Sequence, residues 1–336
     1  MLNIFLESAQ TLYWLEQTDF KKYTVSRNIS AWLSDNKKPK IALLEVFDYC
    51  PETMAKITQL CENAQTVMLF VHELLDVSWM KQFDFPNVVF FISGVLNTTL
   101  EHADIQFYPY FFSSTIAFYQ SHKPQLTSNP EQSFDVLLGR RKVHRDLIYN
   151  NIDHDKNVVR YFPNYNDADI TTYNNKEFEW PCEPLSHCDE LYMTASEVRV
   201  NGIIVSLSQI IPTNIYNRTR HSLVAETCAD NEWSFFTEKI VKPMLAQRLF
   251  IVASGQYYLH NLRSLGFQTF DKVIDERYDT IENLEQRMQA VCDTAKSLDG
   301  RDPAVAAITH HNYHHLLTTD WTGIMIENIK QNLLGI

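Results

Sequence analysis

The stretch KIALLEVFDYCPETMAKITQLCENAQTVMLFVH at residues 40–72 decides the fold of the chain. It begins and ends in apolar runs of strand length, KIALLEV and TVMLFVH, which are typical of parallel strands buried on both faces. Between them, Pro51 and Glu52 open a segment whose apolar residues recur every three to four positions, which predicts a helix. A further apolar run at 87–93 continues the order strand, helix, strand. The pattern predicts an α/β fold built from βαβ units.

The length and the polar segments predict two domains. A chain of 336 residues is longer than one hydrophobic core usually serves. The polar segment 121–133 contains two prolines and has no periodicity, so it predicts a linker. A new apolar strand, Phe134–Leu138, follows at once. We therefore predict a first Rossmann-like domain at 1–120, a second at 134–300, and C-terminal helices at 301–336 that can cross back to the first domain.

Composition and charge limit the class of protein. The net charge is −12 and the isoelectric point is near 5.4, which argues against strong non-specific binding to nucleic acid but leaves room for a local basic groove. No apolar run reaches eighteen residues, and the N-terminus lacks the basic start of a secretory signal. Six cysteines form no CxxC pair and indicate reduced thiols. We expect a cytoplasmic protein without a membrane span.

The first motif that indicates chemistry is FDVLLGRRKVHR at residues 134–145. A buried strand runs into Gly139 and then into Arg140, Arg141, Lys142 and Arg145 at the start of a predicted helix. The end of a strand followed by a helix N-terminus is where α/β sheets bind phosphates, and guanidinium groups add bidentate donors. The alternative is a basic helix surface exposed to solvent.

The second motif is FFTEKIVKP at residues 235–243. Thr237 is a good N-cap for a helix whose first turns carry Glu238, Lys239 and Lys242. Lysines near a helix N-terminus oppose the helix dipole, so two of them indicate that an anion binds there. We expect Pro243 to kink this helix or to limit it to a short first turn. The alternative is a surface helix with a weak ion pair between Glu238 and Lys242.

The segments LVAET (223–227), FFTEKIVKPMLAQRLFIV (235–252), LRSLGFQTF (262–270) and IDERYDTIENLEQR (274–287) together resemble the donor-binding half of GT-B glycosyltransferases. The likeness is to fucosyltransferase-like enzymes and to related glycosyltransferases of tailed phages. It covers residues 134–300 and is weak before them. The resemblance implies two Rossmann-like domains in a GT-B architecture, with a UDP- or GDP-sugar as donor substrate, no cofactor and no metal.

The resemblance also implies roles for individual residues. Glu238 would bind the ribose hydroxyls, and Lys239 would neutralise the diphosphate. Arg140 and Arg145 would lie near the same phosphates. Glu226 would face the nucleotide or the donor sugar.

Lys242 would be a further phosphate contact, and basic side chains would stabilise the leaving diphosphate without a metal.

Residues for the acceptor side are predicted in the first half of the chain. The chain resembles GT-B enzymes, and in an inverting enzyme of that kind a carboxylate or histidine of that half takes the proton of the acceptor hydroxyl. His72 and Glu73 follow the strand TVMLFV at its carboxyl end and are the predicted catalytic residues. Glu45 and Asp48 end the neighbouring strand. The alternative is that these polar residues simply lead from a buried strand into a loop.

Two acceptor classes and one non-enzymatic function are compatible with the sequence. The phage-like resemblance favours the hydroxymethyl group of a modified pyrimidine in phage DNA, in which case the protein would act in the host cytoplasm. The acidic charge favours a surface glycan or a lipid-linked saccharide. Two basic clusters, Lys21–Lys22–Arg27 and Lys37–Lys38–Lys40, could line a DNA groove. A degenerate transferase retained as a nucleotide-binding interaction module is the third possibility.

Two further patterns are typical of metal sites, but we expect no metal at either. Asp167 and Asp169 form a DxD pattern, but no apolar strand precedes them. Four histidines of the last predicted helical stretch, at roughly 303–334, form two pairs at i, i+4 spacing but lack a third ligand. These histidines are His310, His311, His314 and His315.

Overall fold

The computed structural model describes residues 2–8, 15, 16, 18, 23–35, 40–47, 49–72, 77–121, 126, 130–162, 191–193, 197–200, 203–206, 209–298 and 302–334. The chain divides into two compact units, the first formed by residues 1–110 with 320–336 and the second by residues 111–319. The division falls before the predicted linker at 121–133. Residues 320–336 return to the first unit. No helix of the described residues has the length and apolar character needed to cross a membrane.

Strands and helices are numbered separately in chain order. The strands are β1 (Leu2–Leu6), β2 (Tyr23–Ser26), β3 (Lys40–Val46), β4 (Thr66–Val71), β5 (Val88–Ile92), β6 (Gly94–Leu96), β7 (Asp104–Phe107), β8 (Gln132–Arg140), β9 (Val158–Phe162), β10 (Leu191–Met193), β11 (Glu197–Val200), β12 (Ile203–Ser206), β13 (Thr219–Ala225), β14 (Trp233–Phe235) and β15 (Phe250–Ala253). The helices are α1 (Ile29–Ser34), α2 (Pro51–Asn63), α3 (Ser78–Gln82), α4 (Tyr110–Ser121), α5 (Val143–Asn151), α6 (Thr213–Tyr216), α7 (Glu238–Leu245), α8 (Tyr258–Ser264), α9 (Leu284–Ser297), α10 (Pro303–Thr318) and α11 (Trp321–Leu334), with a 3-10 helix at Glu276–Thr280.

The first unit is built on a parallel sheet with the strand order β2-β1-β3-β4-β5-β7. Its central strands are apolar and buried, as the sequence predicts for strands covered on both faces. The core also includes one face of α11, where Met325, Ile329 and Leu333 recur every four residues and pack against side chains of the sheet. The last helix of the chain is therefore part of the first hydrophobic core.

The second unit contains a parallel sheet with the strand order β15-β13-β8-β9. Helices α5 and α9 pack against each other, and α9 also contacts β15. Because β8 and β13 are parallel neighbours, the residues that follow both strands meet at one edge of this sheet. Strands β10, β11 and β12 form a separate antiparallel sheet.

Both parallel sheets confirm the predicted α/β class, and several predicted strand limits agree with the structure to within two residues. The apolar character of residues 198–207 predicts a single strand, and this prediction was wrong. Strands β11 and β12 pair in antiparallel fashion there, so the chain reverses between them. The intervening Asn-Gly pair is typical of two-residue hairpin turns, and the apolar residues on either side hide that signal.

Two predicted helix limits also need correction. The spacing of Asp279 and Glu282 predicts a capping box. Asp279 does not cap the helix that follows it, since Asn283 is the N-cap of α9 and accepts a hydrogen bond from the Gln286 amide. The carboxylate of Asp279 instead accepts hydrogen bonds from two amides at the start of α8. The predicted helical stretch at 303–334 is divided into α10 and α11, and the Asp320 carboxylate caps the second helix at the amide of Gly323.

Candidate functional site

The predicted basic turn lies at the carboxyl end of β8. Gly139 has a φ of +63°, in the left-handed region that a residue with a Cβ rarely adopts. A bulge between Leu137 and Gly139 accompanies it in the pairing with β9. Arg140 then ends the strand with an exposed position, and α5 starts after its N-cap, Lys142. Gly139 therefore sets the direction in which the basic residues leave the sheet.

Two of these residues bind backbone carbonyl groups at the end of the neighbouring strand, β13. Lys142 donates from Nζ to the Thr227 oxygen at 2.7 Å, and His144 donates from Nε2 to the Glu226 oxygen at 3.0 Å. Burial and the neighbouring Arg145 charge lower the pKa of His144 to about 3. His144 is therefore a neutral donor that fixes α5 to the end of β13.

Arg145 is buried and bridges the two strand ends. Its Nη1 donates to the Arg140 oxygen at 3.0 Å, and its Nη2 donates to the Glu226 oxygen at 3.1 Å. Its Nε is buried and makes no hydrogen bond with the described residues. The guanidinium group thus places a positive charge at this edge of the sheet, and two of its N–H groups hold the backbone.

Glu226, which we predicted to face the nucleotide or the donor sugar, connects the end of β13 with the starts of α7 and α8. Its carboxylate is fully buried and accepts hydrogen bonds from Thr237 Oγ1 at 2.6 Å, Tyr258 Oη at 2.8 Å, and the amides of Thr227 and Thr237. Burial raises the pKa of this carboxyl, against the opposing charge of Lys239 and the hydrogen bond from Thr237. Glu226 therefore fixes the start of α7 rather than meeting a ligand. No pattern in the sequence indicates the part played by Tyr258.

The start of α7 gathers the charges of the second motif. Thr237 is the N-cap and accepts a hydrogen bond from the Lys239 amide at 3.2 Å. Lys239 Nζ lies 2.8 Å from Glu238 Oε1 and 3.0 Å from Thr227 Oγ1, and 27% of its side chain is exposed. Burial would raise the pKa of Glu238, but Lys239 and Lys242 outweigh it and hold that pKa below its ordinary value.

Lys242 is the most buried of the lysines at this edge. Burial lowers its pKa to about 8, with Lys239 acting in the same direction and Glu238 opposing. The helix continues through Pro243 for two residues, so the expectation that Pro243 limits it to a short first turn was wrong. Of the two lysines, Lys239 is thus the one with the more exposed side chain.

Both sequence motifs therefore meet at the carboxyl edge of the second sheet. Among the charged residues assigned to this edge, the cations outnumber the carboxylates, although the net charge of the chain is −12. The cations are Arg140, Lys142, Arg145, Lys239 and Lys242, and the carboxylates are Glu226 and Glu238. A cavity of about 610 Å³ in the same unit lies elsewhere, at the amino ends of β13 and β15, and none of these seven residues lines it. Ligands of open α/β sheets bind at the carboxyl edge, so we assign the candidate site to that edge.

The predicted catalytic histidine occupies the corresponding edge of the first sheet. His72 follows β4 and lies with Nε2 3.4 Å from Oε1 of Glu45, near the end of β3. Both atoms are buried and make no hydrogen bond with described residues, which costs about 1–3 kcal/mol for such a group. The ring of Phe47 stacks on His72 at 4.3 Å. Glu73 and Asp48 lie outside the described residues.

The histidine pattern forms no metal-ligand set among the residues that the structure describes. His311 and His315 bond through Nε2 to the carbonyl oxygens of Gly266 and Leu265, at the end of α8. No group of three histidine, cysteine, aspartate or glutamate side chains among the described residues could hold a metal ion. Asp167 and Asp169 lie outside the described residues. The paired histidines therefore stabilise a helix end, where carbonyl groups lack partners.

Comparisons with known proteins add no assignment, since no family model, curated protein or solved structure matches the chain.

Proposed function

We propose that the chain is a glycosyltransferase that moves a sugar from a nucleotide-sugar donor to a hydroxyl acceptor. The donor, a UDP- or GDP-sugar, binds through its diphosphate at the carboxyl edge of the second sheet. Lys239 contacts the diphosphate, Arg140 lies beside it, and the buried charges of Arg145 and Lys242 add to the positive potential. Glu238 accepts hydrogen bonds from the ribose.

One observation carries this proposal. Lys239, with 27% of its side chain exposed and its ammonium group paired with Glu238, stands in the first turn of α7, where the helix dipole disfavours a cation, and other cations lie nearby at the ends of two parallel strands. A bound anion would offset the repulsion between the cations and the helix N-terminus, because both attract the anion. A nucleoside diphosphate supplies such an anion and also hydroxyl groups for Glu238.

The proposed chemistry follows from the same charges. The acceptor oxygen forms a bond to the anomeric carbon, and the bond between that carbon and the diphosphate oxygen breaks. The electron pair leaves with the nucleoside diphosphate, whose developing charge Lys239 and its neighbours stabilise. This role needs no metal bridge.

Calorimetric titration with UDP and GDP tests the proposal. A charge-assisted hydrogen bond contributes about 1.5–3 kcal/mol, so we expect Lys239→Ala to weaken binding of the preferred nucleotide about 10- to 150-fold. Lys296→Ala is the matched control, because Lys296 is a half-exposed lysine of α9 paired only loosely with Asp293 at 3.7 Å. The nucleotide affinity of Lys296→Ala should equal that of the wild type.

The outcomes separate the candidate functions. Binding that depends on Lys239, with turnover of a nucleotide sugar, supports the transferase. Binding without hydrolysis or transfer of any donor would favour the nucleotide-binding interaction module. If neither nucleotide binds to the folded protein, both candidate functions are wrong.

A further inference from the structure

The cavity of the second unit lies away from the candidate donor site. Its volume of about 610 Å³ is within the range of roughly 300–1,000 Å³ that ligand pockets have. It lies where β13 and β15 begin and where α7 ends, and every residue that lines it belongs to the second unit. The candidate donor site lies at the start of α7 and at the carboxyl ends of the strands. A ligand in the cavity would therefore be separate from a bound nucleotide.

Part of the cavity lining is apolar. Leu249 precedes β15, Val273 precedes the 3-10 helix, and Leu298 ends α9. Val305 and Ala306 add the first turns of α10. Covering a carbon skeleton with these side chains would remove apolar surface from water, which favours binding.

A buried arginine holds the polar part of the lining in place. The guanidinium group of Arg248 donates from Nη2 to Asp135 Oδ1 at 3.0 Å, from Nη1 to the Tyr216 oxygen at 2.9 Å, and from Nε to Ser222 Oγ at 3.2 Å. The Asp135 carboxylate balances its charge. Arg248 therefore stabilises the start of β13 and leaves the binding of a ligand to its neighbours.

Arg220 supplies a positive charge that nothing in the described structure neutralises. It is the second residue of β13, lines the cavity and is exposed. Its side chain makes no ion pair or hydrogen bond with the described residues. Burial, with the charges of Arg248 and Arg220 acting in the same direction, lowers the pKa of the adjacent His221 to about 4, so that this ring is neutral. A guanidinium group of this kind favours an anion.

The carboxylate in the described lining already has a partner. Asp302 is the N-cap of α10 and accepts a hydrogen bond from the Ala304 amide at 2.8 Å. The positive end of the helix dipole stabilises its charge. Arg220 therefore remains the charged group of the lining that a ligand can pair with.

A second polar side chain of the lining stands on a strained turn. Gln247 follows Ala246, the C-cap of α7, and has a φ of +51°. Glycine is the usual residue at this position, because a Cβ makes the left-handed conformation unfavourable. The side chain of Gln247 is exposed, lines the cavity, and makes no hydrogen bond with any residue that the structure describes. Strained residues of this kind cluster at ligand sites.

We propose that this cavity binds a small organic anion with an apolar body. The anionic group pairs with Arg220 and accepts a hydrogen bond from the amide of Gln247, and the carbon skeleton lies against Leu249 and Val305. Carboxylates and phosphate monoesters share the required chemistry, since both accept two hydrogen bonds from a guanidinium group. The assignment is independent of the proposed transferase activity.

Fluorescence titration with anilinonaphthalene sulfonate, an organic anion with apolar rings, tests the charged part of the site. We expect saturable binding to the folded wild type. Arg220→Gln keeps most of the side chain and removes its charge, so the affinity should fall about tenfold or more. Arg27→Gln is the matched control, because Arg27 is an exposed arginine of the first unit. Equal affinity of the two variants would overturn the proposal.

Two adjacent alanines of α10 test the apolar part. Ala306 and Ala307 are both exposed, and Ala306 lines the cavity whereas Ala307 does not. The indole ring of Ala306→Trp should clash with the dye and weaken its binding at least about tenfold, whereas Ala307→Trp should bind as the wild type does. The opposite order of the two affinities would contradict the location of the site.

Gln247→Gly separates binding from stability. Glycine relieves the strain of the turn, so the midpoint of urea unfolding should rise. The loss of one hydrogen bond should nevertheless weaken binding of the dye about 2- to 12-fold. A more stable variant with unchanged affinity would show that Gln247 does not bind the anionic group.

Competition experiments identify the anion and separate the two proposals. Displacement of the dye by octanoate or by octyl phosphate indicates a carboxylate or a phosphate monoester, respectively. Equal displacement by octanol would overturn the proposal, because the anionic group would then contribute nothing. Excess UDP or GDP should leave the dye bound, and displacement by either would place the dye at the donor site and refute this inference. The absence of saturable dye binding, with no heat of binding from octanoate or octyl phosphate, would also refute it. Failure of both nucleotides to bind would refute the proposed function alone.

Discussion

Replacing Thr237 with valine removes the hydroxyl that joins the two halves of the candidate donor site, while the shape of the side chain stays nearly the same. Thr237 Oγ1 donates to the buried carboxylate of Glu226 at 2.6 Å and accepts from the Lys239 amide at 3.2 Å. Loss of an N-cap costs about 1 kcal/mol, and withdrawing a donor from a buried carboxylate costs about 1–3 kcal/mol. We expect Thr237→Val to lower the free energy of unfolding by about 2–4 kcal/mol.

The effect should depend on pH in a defined direction. Burial already raises the pKa of Glu226, and loss of the Thr237 hydrogen bond raises it further. The folded variant then holds a proton on Glu226 up to a higher pH than the wild type does. The destabilisation should therefore be smaller at pH 5 than at pH 8, since the protonated carboxyl needs the lost donor less.

Urea unfolding followed by circular dichroism measures both effects. Thr237→Ser is the control, because it keeps the hydroxyl and should stay within about 1 kcal/mol of the wild type. If the valine and serine variants are equally stable at pH 8, the hydrogen bond from Thr237 to Glu226 does not stabilise the fold as the structure indicates.

The same edge of the sheet leads to three further predictions. Burial lowers the pKa of Lys242 to about 8, so its charge is lost as the pH rises; nucleotide affinity should fall up to about tenfold per pH unit between pH 8 and 10, and calorimetry of Lys242→Arg should show a flatter profile. Gly139→Ala puts a Cβ at a φ of +63° and should lower the urea-derived stability by about 1 kcal/mol; an unchanged stability would show that the turn relaxes. EDTA should leave transfer activity intact, because lysine and arginine stabilise the leaving diphosphate; loss of activity restored by manganese would contradict this.

Much of the fold could be predicted from the sequence because the buried strands are continuous apolar runs. Strand β3 has the limits predicted from KIALLEV. The predictions failed where tertiary contacts decide a local structure. Asp279 has the spacing of a capping box, yet its carboxylate binds the amides of α8, a helix that precedes it in the chain. No local pattern contains that information.

The meeting of the two motifs could be predicted from the sequence, but the orientation of their side chains could not. The motifs around Arg145 and Lys239 do meet at the ends of adjacent parallel strands, as βαβ geometry requires. The sequence did not indicate that Glu226 and Arg145 are buried and hold the backbone. It also placed Glu45 beside His72 without predicting that the two form a pair or that Phe47 covers them, because such contacts depend on register and side-chain direction.

The proposed glycosyltransferase activity is measured as release of nucleoside diphosphate from nucleotide sugars. The folded protein is incubated with a panel of UDP- and GDP-sugars, with and without a panel of hydroxyl-bearing acceptors, and free UDP or GDP is quantified. We expect release from at least one donor, stimulation by an acceptor, and at least about tenfold slower release at subsaturating donor by Lys239→Ala than by Lys296→Ala. No release from any donor by the wild type would contradict the assignment as a glycosyltransferase.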